Sequence, residues 1–168
     1  MIIDAAADIS FESDWSQVTF QAIANRAGLS KGGIIHHFKN KEELLDELVN
    51  QSLINLTQWI ETNQSKNPEI DTILSYFNSI ITQQNDQKYG KTMRVILQAI
   101  VINPKYREQW KKWYAQHIIS LDKNELDTKN LIILLLAEGL WYSENVGTKV
   151  YSEHEKAKIL TFIKSIKN

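Results

Sequence analysis

The chain has 168 residues, with no cysteine, two prolines, six glycines and a formal net charge of −1. This length suits one domain or two small ones that share a core, and 43% hydrophobic residues exclude a disordered chain. Because cysteine is absent, a disulfide scaffold and a thiolate-bound zinc or iron–sulfur centre are excluded as well.

Neither the first residues nor the longest apolar run indicates secretion or a membrane span. The first ten residues, MIIDAAADIS, contain no basic segment and so do not resemble a signal peptide. The longest aliphatic run, Leu131–Ala137, is far shorter than the roughly 20 residues of a membrane-spanning helix. We therefore expect a globular, cytoplasmic protein.

Apolar residues recur every three or four positions almost throughout, which predicts an all-α fold of about nine helices without a sheet. A short stripe begins at Ile2, and a second helix is predicted over Phe20–Ala27, ended by Gly28. A third is predicted from the N-cap Ser30 to near Phe38. A long helix then runs from Lys41 to about Asn63, before a polar linker over 63–69.

Five more apolar-periodic segments follow, at about 70–84, 92–103, 105–121, 128–145 and 152–167, separated by polar breaks such as NDQKYGK (85–91). Because Leu131–Ala137 is apolar on all sides, we expect that helix to be buried all round. The last helix carries one apolar face. Together they predict a homodimer that forms through the last two helices, at about 128–167. Packing within a single chain is the alternative.

The charge is distributed unevenly within the first 50 residues. They contain eight acids and four basic residues, yet residues 15–41 contain no acid and all four of the basic residues, Arg26, Lys31, Lys39 and Lys41. Within this window a helix, a glycine-containing turn and a second helix follow one another, which is typical of a DNA-binding helix-turn-helix. Lys31 begins the second helix, where base-reading residues usually lie. Gly32 and Gly33 are either a frayed helix start or a place of close backbone approach, and we favour the second interpretation.

The stretch TFQAIANRAGLSKGGIIHHFKNKEELL (Thr19–Leu45) resembles the N-terminal domain of TetR-family transcriptional regulators. The resemblance covers Ile2–Val49, and its most specific parts are AGLSKG and HF-K-N-KE. It implies a three-helix DNA-binding domain over residues 1–46. A long helix would join it to an effector-binding and dimerisation domain over 47–168.

Carried over position by position, the resemblance implies contacts with double-stranded operator DNA. Thr19 would cap the second helix and touch a phosphate, while Lys31 and the two glycines would face base edges. The implied DNA-binding residues are Thr19, Ser30, Lys31, Gly32, Gly33, His36, His37 and Lys41. For His37 a structural role is an equally good interpretation.

The sequence also departs from the family pattern. Ile35 replaces a tyrosine that usually reaches a phosphate, and Ser10 replaces a core phenylalanine, for which Phe11 could substitute through a register shift. Asp14 occupies a common glycine position, and no basic arm precedes the first helix. Fewer phosphate contacts predict weak or salt-sensitive DNA binding.

Aromatic residues are frequent after residue 50, and their helical spacing is more typical of a core than of a ligand site. Polar residues embedded among them favour a small-molecule pocket, because burying a polar group without a partner is costly. The candidate effector-binding residues are Arg94, Gln98, Trp110, Trp113, His117, Glu138 and Trp141. The expected effector is a largely apolar small molecule.

The sequence contains no enzyme motif, and the spacing of its four histidines does not suit a metal site, so we expect no catalysis, metal or cofactor. These features predict a ligand-responsive regulator that acts as a repressor. It would bind a palindromic operator as a homodimer and be released by its effector. The alternative is a helical ligand-binding or protein-interaction module that keeps the fold but has weak or no specific DNA binding.

Overall fold

A computed structural model describes residues 1–82, 87–119 and 126–167 of the chain. All regular structure in these ranges is helical, with nine α-helices, which confirms the predicted fold class. The helices are α1 (Ile2–Glu12), α2 (Phe20–Ala27), α3 (Lys31–His37), α4 (Lys41–Lys66), α5 (Thr72–Thr82), α6 (Gln87–Ile102), α7 (Pro104–Tyr114), α8 (Thr128–Val146) and α9 (Glu153–Lys167). A 3₁₀ turn (Trp15–Gln17) precedes α2, and a π-helical turn (Ala115–Ile119) follows α7.

Two helix boundaries differ from the prediction. α4 continues into the polar stretch that was expected to be a linker, and α6 begins within the expected break NDQKYGK. Tyr89 is only 3% exposed, and Lys91 Nζ lies 2.6 Å from Asp8 Oδ1. Burial and an ion pair with a distant helix therefore stabilise a helix start that local composition disfavours. Residues 85 and 86 of that stretch, and 120–125, lie outside the described ranges.

The chain forms two compact units, and α4 and α7 each contribute residues to both. Unit one comprises Met1–Leu56 and Gln87–Lys111, and unit two comprises the described residues of 57–86 and 112–168. In unit one, α1 packs against α2 and α6, and α2 packs against α3. The described helices include none that is both long and apolar enough to cross a membrane.

A polar pair inside unit one replaces an apolar contact. Ser10 is 1% exposed; its Oγ donates to Gln98 Oε1 at 2.6 Å, and Gln98 Nε2 donates to Ser10 O at 3.2 Å. Phe11 remains 36% exposed. The expected register shift that would bring Phe11 into the core is therefore wrong, because a reciprocal hydrogen bond satisfies the buried serine.

In unit two, α8 packs along α5 and also contacts α9. Ile133 and Ala137 are fully buried on the packed side of α8, whereas Leu131 is 45% and Leu135 73% exposed. The expectation that Leu131–Ala137 is buried all round is wrong for the single chain. Within the chain, α5 and α9 cover only one side of α8, so an apolar face is left at the surface.

Candidate nucleic-acid interface

A side-chain hydrogen bond caps the start of each of the two helices of the interface. Thr19 Oγ1 accepts a hydrogen bond from Ala22 N at 3.1 Å at the start of α2, and Ser30 Oγ accepts one from Gly33 N at 3.0 Å at the start of α3. Between them Gly28 has φ +67°, the left-handed conformation that favours glycine at the end of a helix. These local signals define the helix–turn–helix predicted from the sequence.

The packing of α3 determines which of its residues face outward. Ile34 is fully buried, as is Ile23 of α2, so the two helices meet through these side chains. Lys31, Gly32 and the histidines His36 and His37 are exposed. His37 is thus at the surface rather than in the core.

Ile35 is 46% exposed on this outward face and was not among the predicted site residues. Its position could have been recognised, because residues four apart lie on the same side of a helix and Lys31 is four positions earlier. An exposed isoleucine there can make apolar contact with a thymine methyl group.

The fold does not require glycine at position 32. A Cβ added to Gly32 would meet only Ser30 Oγ, at 3.9 Å, while one added to Gly33 would lie 3.4 Å from the same atom. Neither residue has a positive φ. Gly32 therefore leaves the backbone of α3 bare at the surface without a conformational need, which favours close approach of a ligand.

Lys41 was predicted to contact a phosphate, and in this structure its side chain packs on the turn before α2. Its Nζ donates to Trp15 O at 2.5 Å and to Ser16 O at 3.4 Å, and lies 4.9 Å from the centroid of a Trp15 ring. Burial lowers the pKa of Lys41, although the Asp14 carboxylate raises it. Lys41 thus holds the 3₁₀ turn in place, and its phosphate contact stays a prediction.

Arg26 is also engaged within the chain. Its two terminal nitrogens donate to the two carboxylate oxygens of Glu12, at 2.8 and 2.5 Å, and this fork holds the pKa of Glu12 below its usual value. The four cations of the acid-free window therefore differ. Arg26 is ion-paired and Lys41 is partly buried, whereas Lys31 and Lys39 are exposed and make no ion pair with another described residue. The window therefore presents less positive charge than its composition suggests.

The predicted effector residues are divided between the two units. Arg94, Gln98 and Trp110 belong to unit one. Arg94 Nη2 donates to Ser13 O at 3.1 Å, and Gln98 pairs with Ser10, so both side chains connect α6 to the end of α1. These two polar side chains thus have partners of their own within unit one.

The other four, Trp113, His117, Glu138 and Trp141, belong to unit two. Glu138 is half-buried, and its Oε1 accepts a hydrogen bond from the fully buried Tyr76 at 2.8 Å. Burial raises the pKa of Glu138, partly offset by hydrogen bonds from Tyr76 and Tyr114.

Beside this carboxyl, aromatic residues contact one another. The Tyr76 and Tyr114 rings meet edge to face at 5.8 Å, and Trp113 stacks on His117 at 5.3 Å. Trp113 Nε1 also donates to Thr57 Oγ1 at 2.9 Å, and Trp141 is 6% exposed. Within the described ranges, no group of three or more His, Cys, Asp and Glu side chains could hold a metal ion.

Comparison with known solved structures supports the fold over nearly the whole chain. A transcriptional regulator from Rhodococcus sp. Rha1 is 17% identical, with a TM-score of 0.72, over 98% of this chain and 92% of that one. The multidrug binding protein EbrR, complexed with ethidium, is 17% identical with a TM-score of 0.66, over 96% and 95%. NalD of Pseudomonas aeruginosa, a repressor of a multidrug efflux pump, is 18% identical with a TM-score of 0.62, over 98% and 93%.

Sequence comparison adds a relative and two family models. The transposon Tn10 TetC protein of Escherichia coli is 33% identical over 61 residues, which are 36% of this chain and 31% of that protein. The match thus spans about a third of that relative's length. Residues 2–48 match the model of bacterial regulatory proteins of the tetR family, and residues 73–166 match that of the tetracyclin repressor-like C-terminal domain. The chain belongs to the TetR family of transcriptional regulators, which are typically ligand-responsive DNA-binding repressors.

Proposed function

We propose that this chain is a cytoplasmic, non-enzymatic repressor that binds a palindromic operator as a homodimer and is released by a small-molecule effector. Residues 1–46 would contact DNA, and residues 47–168 would bind the effector and form the dimer. The observation that carries the proposal is the outward face of α3. There Lys31 precedes Gly32, where the backbone is bare at the surface although the fold does not require a glycine.

Lys31 and Gly32 would approach base edges in the major groove, since lysine suits the O6 and N7 acceptors of guanine. Gly33 would face base edges next to Gly32. The residues that would lie along the phosphates are Thr19, Ser30, His36, His37 and Lys41. Ile35 would read a thymine methyl group in place of the phosphate contact that the family's tyrosine makes. With few cations on this face, binding should depend on close fit, and salt should weaken it less than it weakens binding by a broad basic surface.

The dimer would form through the exposed face of α8 with α9. Leu131, Leu135, Tyr142 and Val146 are between 45% and 73% exposed, at spacings of four, seven and four residues, so they form one stripe along α8. On α9, Phe162 is 54% exposed. Contiguous exposed apolar residues of this kind are typical of a protein interface. Two reading helices would then enter major grooves about 34–36 Å apart if the half-sites lie one turn apart.

The effector would bind in the C-terminal helical domain, with Glu138 and the surrounding aromatic residues as its recognition elements in unit two. Glu138 supplies a half-buried hydrogen-bond acceptor beside the Tyr76 and Tyr114 rings. EbrR, which shares the fold, has been observed with the small molecule ethidium. A largely apolar effector with one polar group would suit this environment. Its differential affinity for the DNA-bound and released conformations would determine the size of the response.

The test is a fluorescence anisotropy titration with the DNA upstream of the protein's own gene, at several salt concentrations. We expect saturable, sequence-dependent binding that weakens with salt, and no comparable binding to a shuffled duplex of equal length. No saturable, sequence-dependent binding even at low salt would overturn the repressor proposal.

That negative result would favour a second function, a ligand-binding or protein-interaction module that keeps the fold. Two observations motivate this alternative. Arg26 and Lys41 are engaged within the chain, and the position of the family's phosphate-contacting tyrosine is occupied by Ile35. Both reduce the electrostatic contribution to DNA affinity.

A further inference from the structure

Unit two contains an open groove lined by the end of α4, by α5 and by α9. It has two lobes of about 480 Å³ and about 280 Å³, which share Asn67, Asn78, Leu160 and Lys164 in their walls. Cavities of roughly 300–1,000 Å³ are typical of small-molecule sites. The predicted effector residues line neither lobe, so the groove is a feature separate from the effector region proposed above.

A buried polar atom in the wall lacks a hydrogen-bond partner. Asn78 Oδ1 is inaccessible and accepts no hydrogen bond from any described residue, and Asn78 borders both lobes. One turn earlier on α5, Ser75 Oγ is in the same condition. Leaving a buried acceptor unsatisfied is destabilising. A rotation of the Asn78 side chain that turns Oδ1 into the groove would let an N–H or O–H donor of a ligand relieve that cost.

The charged side chains in the walls are three lysines and two acids: Lys66, Lys164, Lys167, Glu69 and Asp71. Lys167 Nζ lies 2.5 Å from Asp71 Oδ2, so these two charges compensate each other. Lys66 and Lys164 are exposed, and neither makes an ion pair with another described residue. The groove thus carries one surplus positive charge, which favours an anionic ligand.

The remaining wall is apolar or aromatic. Leu74 is 9% exposed in the larger lobe, Trp59 lines the smaller one, and Leu160 lies in both. We propose that the groove binds a small aromatic carboxylate that carries a hydrogen-bond donor. Its carboxylate lies against Lys164, its hydroxyl or amide donates to Asn78, and its ring packs on Leu160.

The groove remains open in the proposed dimer. Leu160 and Lys164 are each two positions from Phe162. Residues two positions apart in an α-helix are rotated by about 200° around its axis. Phe162 is exposed on the other side of α9 and belongs to the proposed dimer face. A dimer that buries Phe162 therefore leaves the Leu160–Lys164 side accessible.

The experiment is a ¹⁹F NMR titration of the full chain, labelled with 5-fluorotryptophan, with 4-hydroxybenzoate and without DNA. The Trp59 resonance is identified as the one missing from Trp59→Phe. We expect it to shift saturably, with a Kd below about 10 mM, and Lys164→Met to weaken binding about tenfold. Lys158→Met is the matched control, since Lys158 is exposed on the same helix but does not line the groove.

Two further arms test the chemistry. The neutral 4-hydroxybenzamide should bind about tenfold more weakly than 4-hydroxybenzoate, as should benzoate, which lacks the donor. Asn78→Leu should erase the preference for 4-hydroxybenzoate over benzoate while keeping the helical circular dichroism spectrum. Three results would each overturn the site: no saturable Trp59 shift, equal losses with Lys164→Met and Lys158→Met, or equal binding of the amide. Operator binding is measured on the same samples, so failure of this site and failure of the repressor proposal are distinguishable.

Discussion

Helix α3 in unit one and helix α8 in unit two each leave one face exposed, but the two faces differ in chemistry. On α3 the face combines Lys31, Gly32 and His36 with the single apolar residue Ile35. On α8 it is an uncharged stripe that includes Leu131 and Leu135. A cation next to bare backbone suits phosphates and base edges, whereas an apolar stripe suits burial against another apolar surface. The class of partner that each face suits therefore follows from the chemistry of its exposed atoms and not from exposure alone.

The largest effect is expected from a charge placed on the apolar α8 face. Leu135→Arg should abolish the dimer, because an arginine would be buried in an apolar interface without a counter-charge. Operator affinity should fall at least about 100-fold, since two linked reading helices gain roughly 10²–10⁴ in avidity. Sedimentation velocity and anisotropy measure the two effects.

Val101→Arg is the control for that experiment. Val101 is 75% exposed, close to the 73% of Leu135, but lies on α6 in unit one. It should leave both the dimer and operator binding unchanged. A dimeric Leu135→Arg protein would exclude the α8 face from the interface.

The next largest effect should come from the α3 face. Lys31→Ala should reduce discrimination between the operator and single-base variants by about 1–3 kcal/mol, because one side chain reads one base pair. Since Lys31 is exposed, the midpoint of thermal unfolding should not change. Retention of the full sequence preference would remove Lys31 from the reading residues.

Lys41 is close to α3 in sequence, but its side chain packs on the turn before α2 and not on the α3 face. Lys41→Ala should lower the free energy of unfolding by about 1–2 kcal/mol, through loss of its hydrogen bonds to the Trp15 and Ser16 carbonyls. All DNA sequences should be weakened alike, and urea unfolding checks the stability. Lys39→Ala, at an exposed lysine, should leave stability unchanged. Unaltered stability in Lys41→Ala would argue against the positioning role.

Gly32→Ala separates folding from binding on the α3 face. A Cβ finds space there, so alanine should raise helix stability by up to about 1 kcal/mol. Operator affinity should nevertheless decrease, because the added methyl group holds the backbone away from the DNA. Thermal unfolding tests the expected gain in stability, and anisotropy on the same sample tests the expected loss of affinity. Unchanged affinity would mean that the DNA does not approach the backbone here.

The smallest effect is expected at Glu138, beside the apolar stripe of α8. Its pKa is raised in the folded chain, so wild-type stability should decrease as pH rises above the usual glutamate range, where the unfolded state ionises first. Glu138→Gln should therefore be more stable than wild type at pH 7, and this gain should vanish at acidic pH. Urea unfolding at several pH values measures it; a gain that is independent of pH would contradict the burial argument.

Sequence reasoning succeeded where a structural signal involves neighbouring residues. The caps at Thr19 and Ser30 and the left-handed Gly28 are formed by atoms within a few positions of one another. It was incomplete at Ile35. Helical spacing puts this residue on the Lys31 face, but the family pattern alone shows only that a tyrosine is missing there. Sequence reasoning was wrong about burial of Leu131–Ala137, because burial depends on which helices cover a surface.

Periodicity and capping act over one or two turns, so the all-helical class and the helix–turn–helix follow from the order of the residues alone. The family was indicated by the resemblance of the stretch Thr19–Leu45. Which polar groups are engaged becomes visible only in the folded chain. Arg26 donates a hydrogen bond to Glu12, 14 positions away in the sequence, and Lys41 donates one to Trp15, 26 positions away. Ser10 donates one to Gln98, 88 positions away. Such pairs form when packing brings distant helices together. For this reason the acid-free window looked more cationic in the sequence than its surface is in the folded chain.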